Sequence, residues 1–169
     1  MKQIILEQFL NYPQENFSAR GLSRKLNINH VTILKYLNIL KKEDIIKTKT
    51  TTLYPVYCAN TSSNKYVFEK KQHIQKQILD SNLLQQLIST CNPDCLILFG
   101  SCAKGNYTEN SDIDIFVQSS NKEINLASFE KKLNHKINLL FEPNIRKLSG
   151  ELANNIINGI ILYGYIKVF

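Results

Sequence analysis

The feature that most constrains the fold is a short apolar run followed at once by Gly-Ser and, after a polar loop, by two aspartates with a single residue between them. The unbroken apolar run from Cys95 to Phe99 predicts a short buried strand. The segment from Ile113 to Val117 predicts a second strand, with Ile113, Ile115 and Val117 directed into the core. The chain is therefore expected to bring a glycine bend at the end of one strand close to carboxylates on another.

Each part of this motif suits a bound polyphosphate and a divalent cation. Gly100 at the exit of a strand lets backbone amides approach a phosphate, and Ser101 adds a hydroxyl donor where the next helix begins. Asp112 and Asp114 lie two residues apart on a strand, so both side chains project from one face with Cα atoms about 7 Å apart. Two carboxylates so placed can share Mg²⁺ or Mn²⁺ with a triphosphate.

The string LILFGSCAKGNYTENSDIDIFV resembles the signature of minimal nucleotidyltransferases in the DNA polymerase beta superfamily. The later NIINGIILYG is similar to their C-terminal segment, so the resemblance covers most of residues 75–165. It implies a nucleotidyltransferase-like α/β domain with a small mixed sheet flanked by helices. It also implies an NTP, ATP first, with the β- and γ-phosphates at Gly100 and Ser101, Lys104 near the phosphates, and Mg²⁺ at the catalytic pair Asp112 and Asp114.

Three departures from the family pattern affect the expected activity. The family usually has Arg at the position of Cys102 and often at that of Lys104, which predicts weaker phosphate or partner contacts. Its enzymes place a third carboxylate on a later strand, where this chain has Asn138. An amide oxygen can ligate a metal weakly, but it adds no charge and cannot accept a proton. Glu142 is the nearest acid on the same strand face, about 13 Å further along.

Three apolar-periodic segments precede residue 46 and a basic, β-rich stretch follows them. The first predicted helix stops at Asn11 to Pro13, the second opens at the N-cap Ser18, and the third runs to about Lys42. The predicted buried positions of these helices are Ile5, Leu6, Phe9, Leu10, Ala19, Leu22, Leu26, Val31, Ile33, Leu34, Leu37 and Leu40. Strands are expected from Ile45 and Ile46, and again at Leu53, Tyr54, Val56 and Tyr57, with a basic polar tip at Lys47, Lys49 and Thr50 to Thr52.

This stretch, about residues 1–58, resembles the winged helix-turn-helix of prokaryotic transcription regulators. The resemblance implies double-stranded DNA as a partner. Major-groove contacts are then expected from Asn29, Thr32, Lys35 and Tyr36, and phosphate or minor-groove contacts from Lys47 and Lys49. The net charge of +7 supports a polyanionic partner here, because the first 58 residues hold nine Lys and Arg against four Asp and Glu. A solvated amphipathic helix and a protein-docking winged helix are the alternatives, and a homodimer would suit such a regulator.

The chain is expected to be an α+β protein of two domains. The small polar run 59–64 is the predicted linker between the winged helix, 1–58, and the nucleotidyltransferase-like domain, 65–169, which opens with helices that restart at Asp80 and Ser81. No apolar run reaches membrane-spanning length, so no membrane partner is expected. The four cysteines show neither disulfide nor zinc spacing, which favours reduced, mostly buried thiols in a cytoplasmic protein.

These observations leave three functional hypotheses open. The first is a DNA-binding transcription regulator whose second domain binds NTP and magnesium, or a protein partner, with catalysis impaired by Asn138. The second is a working Mg²⁺-dependent nucleotidyltransferase that transfers NMP to a hydroxyl of a protein or a small molecule. The third is a dimerisation scaffold in which the motif is a remnant.

Overall fold

A computed structural model describes residues 1–50 and 54–167. Its contacts divide the chain into two compact units, Met1–Lys70 and Lys71–Phe169. Helices and mixed sheets place the chain in the α+β class. Among the helices of the described residues, none is sufficiently long and apolar to cross a membrane.

The first unit combines three helices, the start of a fourth, and a small antiparallel sheet. Its elements are α1 Lys2–Asn11, β1 Asn16–Ser18, α2 Ala19–Leu26, α3 His30–Lys42, β2 Ile46–Lys49, β3 Val56–Ala59 and α4 Asn64–Asp80. Ser18 caps α2, as predicted, by accepting a hydrogen bond from the amide of Gly21 at 3.0 Å. In the sheet β3 lies between β1 and β2, with Lys47 opposite Cys58. Strand β1 was not predicted, and the predicted positions Thr51, Thr52 and Leu53 lie outside the described residues.

The core of this unit confirms the predicted helix faces with one exception. Nine predicted positions are buried: Ile5, Leu6, Phe9, Leu10, Ala19, Leu22, Ile33, Leu37 and Leu40. Ile46 from β2 is buried as well. Leu26 and Leu34 are partly buried against them. The prediction for Val31 was wrong, because its side chain is 73% exposed. At 100° per residue Val31 lies about 200° from Ile33, so a helix that buries Ile33 turns Val31 outward.

The first unit extends further along the chain than the predicted domain 1–58 and linker 59–64. Strand β3 continues to Ala59, and α4 begins at Asn64. On α4, Tyr66 donates its hydroxyl to the carbonyl of Phe9 at 3.0 Å, and buried Lys70 donates to the carbonyl of Leu10. These carbonyls belong to the last turn of α1, which has no helical partner for them. The beginning of α4 therefore packs with the first unit.

The second unit is built on a four-stranded mixed sheet of the described residues, in the order β6-β5-β4-β7. Its elements after α4 are α5 Leu83–Cys91, β4 Cys95–Phe99, α6 Gly100–Lys104, β5 Ile113–Val117, α7 Ala127–Leu133, β6 Ile137–Phe141, a 3-10 turn at Ile145–Lys147, α8 Gly150–Ile157 and β7 Ile160–Gly164. Strands β5 and β6 are parallel, and β4 is antiparallel to β5 and β7. The predicted helix restart is confirmed, since Ser81 accepts from the amide of Leu83 at 3.1 Å.

Apolar side chains cover both faces of this sheet, as the continuous apolar runs predicted. Leu96, Leu98, Ile115 and Val117 belong to one buried cluster, and Ile97 and Phe116 to another on the opposite face. All four cysteines are buried thiols outside any disulfide. Burial, together with the charge of Asp94, raises the pKa of the Cys95 thiol to about 11, which keeps it protonated.

Candidate functional site

Three neighbouring strands bring the glycine bend and the polar side chains together. Phe99, the last residue of β4, pairs with Asp114 on β5, and Asp114 pairs with Asn138 on β6. Gly100 follows with φ of +69°, and a Cβ built on it would lie 2.5 Å from Oδ2 of Asp114. The left-handed backbone strains any residue with a Cβ at this position, and the side chain of Asp114 would have to move to make room for one. The bend and the carboxylate are therefore in direct contact.

Asn138 lies between the two aspartates. Its Nδ2 donates to Oδ2 of Asp112 at 3.1 Å and to Oδ1 of Asp114 at 3.0 Å. Asp114 is on β5, Asp112 immediately precedes this strand, and both are half-buried whereas Asn138 is exposed. One amide group thus joins both carboxylates at a site open to solvent.

The other residues of the motif lie on helix α6, some at the surface and others in the core. Ser101 is half-buried and Lys104 is exposed, so both are accessible beside Gly100. Cys102 is fully buried, and its thiol donates to the carbonyl of Asp112 at 3.4 Å. The side chain of Cys102 therefore packs in the core and bonds to the backbone of Asp112. It adds no charge to the site.

Three other acids of the second unit, Glu142, Glu130 and Asp94, accept hydrogen bonds of their own. Glu142 accepts from the amide of Asn144 at 2.9 Å, and Glu130 accepts from the amide of Ile137 at 3.0 Å. Asp94 forms an ion pair with Lys167 at 2.7 Å, and this hydrogen bond raises the pKa of Lys167. None of the three supplies a third carboxylate to Asp112 and Asp114, which leaves that position to Asn138.

The donor set suits one hard divalent cation. Mg²⁺ is commonly bound by one or two carboxylates, with substrate phosphates and water completing its octahedral shell. Asp112 and Asp114 provide these carboxylates on adjoining positions of one face. In residues 1–50 and 54–167 no group of three or more His, Cys, Asp or Glu side chains could hold a metal on its own. The site therefore fits a cation that arrives with phosphate ligands better than a cation held by protein alone.

A polar pocket of about 460 Å³ adjoins Asp112 and was not predicted. It is lined by Glu109, Asn110, Ser111, Asp112, Glu130, Asn134, His135 and Lys136. Nδ1 of His135 lies 2.7 Å from the carbonyl of Ser111, which can only accept, so Nδ1 carries the proton. No local spacing could have revealed this pocket, because its residues come together only through the parallel pairing of β5 and β6.

In the first unit the predicted DNA-contacting residues differ in accessibility. Lys35 on α3 and Lys47 and Lys49 on β2 are exposed. Asn29 is exposed, but its Oδ1 accepts from the amide of Val31 at 2.8 Å and caps α3. Thr32 and Tyr36 are half-buried, and Tyr36 packs against the core.

Sequence reasoning missed other accessible side chains of this unit. Val31 and Asn38 are exposed on α3, and Arg24 is exposed on α2. Arg20, also on α2, lies with Cζ 5.7 Å from the ring centroid of Tyr54. The helical wheel could have indicated Asn38, whereas the two arginines are scattered among polar residues and gave no pattern.

Comparison with known proteins assigns the second unit to a protein family. A model of the family described as Polymerase beta, Nucleotidyltransferase matches residues 81–166, slightly more than half of the chain. The matched region contains Gly100, Asp112, Asp114 and Asn138. A search of curated proteins finds no match.

Proposed function

The chain belongs to the polymerase beta nucleotidyltransferase family, and from this premise we propose that its second unit binds a nucleoside triphosphate with Mg²⁺ or Mn²⁺ and transfers the nucleotide poorly. The observation that carries the proposal is the position of Asn138, whose amide donates to both Asp112 and Asp114. A carboxylate in this place could accept a proton from an attacking hydroxyl, and an amide cannot. Binding and transfer are therefore separable in this protein.

The residues of the site have distinct roles in the proposed binding step. Gly100 leaves space for phosphate oxygens beside Asp114, and Ser101 offers a hydroxyl donor. Asp112 and Asp114 would hold the cation, and exposed Lys104 on α6 adds positive charge. When bound, the cation neutralises phosphate charge and favours in-line displacement at the α-phosphorus. ATP is the first nucleotide to test.

The balance of charge supports binding of the cation together with its nucleotide. Asn138 neutralises neither carboxylate, but its two N–H···O bonds satisfy one oxygen of each in the absence of a cation. A cation has to compete with these hydrogen bonds and brings its own phosphate ligands when it arrives with NTP. Affinity for MgATP should thus exceed affinity for Mg²⁺ alone.

We further propose that the first unit is a winged helix-turn-helix that binds double-stranded DNA, which makes the chain a candidate transcription regulator. Support comes from the order of α1, α2 and α3 followed by the β2–β3 hairpin. Exposed Lys35 on α3 and exposed Lys47 and Lys49 on β2 provide cations for phosphate or base contacts.

A working nucleotidyltransferase is the second candidate function, because Gly100, Asp112 and Asp114 are all present and lie together at the ends of neighbouring strands. Its acceptor would be a hydroxyl of a protein or a small molecule. Incubation with labelled ATP, Mg²⁺ or Mn²⁺ and a cell lysate separates the two. Binding of MgATP without label transfer supports the first proposal, and transfer that disappears in Asp112→Ala supports the second.

Removal of either aspartate is expected to weaken MgATP binding by about tenfold, since each carboxylate supplies one ligand and one negative charge to the cation. Titration calorimetry of Asp112→Ala and Asp114→Ala against MgATP measures this loss. Asp94→Ala is the matched control, because Asp94 is paired with Lys167. Equal affinities in all three variants would exclude Asp112 and Asp114 as cation ligands.

DNA binding is expected to weaken with salt, and Lys35→Ala and Lys47→Ala should each lower affinity about three- to tenfold and reduce the salt slope by about one. Fluorescence anisotropy with a labelled duplex at several salt concentrations gives both quantities. Lys76→Ala is the matched control, as Lys76 lies on α4 and is paired with Asp80. The proposal fails if no duplex binds at low ionic strength.

A further inference from the structure

Helix α3 presents an exposed apolar side chain in its first turn. Val31, in the first turn of α3, is 73% exposed and is the most exposed large apolar residue in the described part of the chain. Its exposure follows from the burial of Ile33, Leu37 and Leu40 on the opposite side. A β-branched residue is also a weak helix former, so neither core packing nor helix propensity explains Val31.

The neighbours of Val31 define the outward face of α3. Lys35 and Asn38 follow at spacings of four and seven residues, and both are exposed. Asn29 precedes them, but its side-chain oxygen is held by the amide of Val31 at 2.8 Å. The outward face therefore begins with two methyl groups on a capped, ordered turn and continues with a cation and an amide.

This arrangement matches one feature of the DNA major groove. Thymine is marked there by its C5-methyl group, which proteins recognise through apolar contact, and the N-terminal residues of a recognition helix are the ones that reach base edges. We propose that Val31 contacts the 5-methyl group of thymine and so gives the first unit a preference for thymine at that position. The inference rests on the proposed DNA binding of this unit. Lys35, one turn later, remains available for a phosphate or a guanine.

The test removes a single methyl group from the DNA. The full-length protein selects duplexes from a random-sequence pool, and the most enriched duplex is synthesised with thymine and again with deoxyuridine in its place. The deoxyuridine duplex should bind the unmodified protein roughly fourfold more weakly for each methyl contacted, the effect expected for one buried methyl-sized group. Val31→Ala should bind the thymine duplex with a similar loss and should no longer distinguish the two duplexes.

Leu79→Ala is the matched control, because Leu79 is an exposed apolar residue on α4, outside α3. It should retain the full difference between the duplexes. Equal affinity of the unmodified protein for both duplexes, an undiminished difference in Val31→Ala, or enrichment of no sequence would overturn the inference and leave DNA binding intact. If no duplex binds in any form at low salt, the proposed DNA function fails as well.

Discussion

Asn138→Asp is expected to raise nucleotidyl transfer by on the order of a hundredfold or more, because a carboxylate at this position could act as a general base and an amide cannot. The amide nitrogen of Asn138 lies 3.1 Å from Asp112 and 3.0 Å from Asp114. An aspartate of nearly the same shape would bring a third negative charge to both. Transfer of label from ATP to acceptors in a lysate, with Mg²⁺ or Mn²⁺, measures the change.

The same substitution should alter the protein without nucleotide. Three carboxylates in contact repel one another, and a divalent cation relieves this repulsion. Asn138→Asp should therefore have a lower melting temperature than the unmodified protein without metal, and it should be stabilised more by added Mn²⁺. Both changes are measured by thermal unfolding, independently of any acceptor.

Two further variants identify the source of the gain. Asn138→Ser removes the amide without adding charge and should leave transfer slow. Asp114→Ala combined with Asn138→Asp should lose the increase, because only one of the two proposed cation ligands then remains. A variant that binds Mn²⁺ more tightly but transfers no faster would show that Asn138 is not what limits the reaction.

Two strands of the second unit were predictable because their signals are local. A continuous apolar run predicted β4 as Cys95–Phe99, and Ile113, Ile115 and Val117 are buried as the alternation of a strand requires. Position 138 was inferred from a resemblance, and the pairing of Asp114 with Asn138 brings these side chains into contact. The spacing of a motif thus predicts which side chains share a face of one strand. The resemblance to a family was needed to predict which residue of the next strand lies beside them.

What the sequence did not reveal depends on long-range contacts. Strand β1 has only three residues and exists because Phe17 lies opposite Tyr57 on β3. Lys70 falls within the predicted second domain, 65–169, but it is buried against the end of α1. Val31 was assigned to the buried stripe of α3, but at 100° per residue it lies on the opposite side of the helix from Ile33. For β1 and Lys70 the contacting residues are distant in sequence. For Val31 the apolar residue type suggested burial, but the side chain is exposed.

Gly100→Ala is expected to abolish measurable MgATP binding and to lower the free energy of unfolding by about 2 kcal/mol. Gly100 has φ of +69°, which alanine adopts only with strain, and the added Cβ would lie 2.5 Å from Oδ2 of Asp114. Relief of this overlap requires Asp114 to turn away or the bend to open. Either movement separates the carboxylate from the backbone amides that the phosphates need. Denaturant unfolding and calorimetry with MgATP measure the two effects.

Gly150→Ala is the matched control, because Gly150 begins α8 and a Cβ there meets no atom within 4 Å. It should bind MgATP normally and change stability by no more than about 0.5 kcal/mol, as exposed substitutions usually do. A second comparison uses Asp114→Ala with Gly100→Ala, which removes the atom that the new Cβ would meet. If the double variant is no less stable than Gly100→Ala alone, the collision with Asp114 contributes to the loss of stability in Gly100→Ala. If Gly100→Ala binds MgATP as tightly as Gly150→Ala does, the bend has no part in holding phosphate.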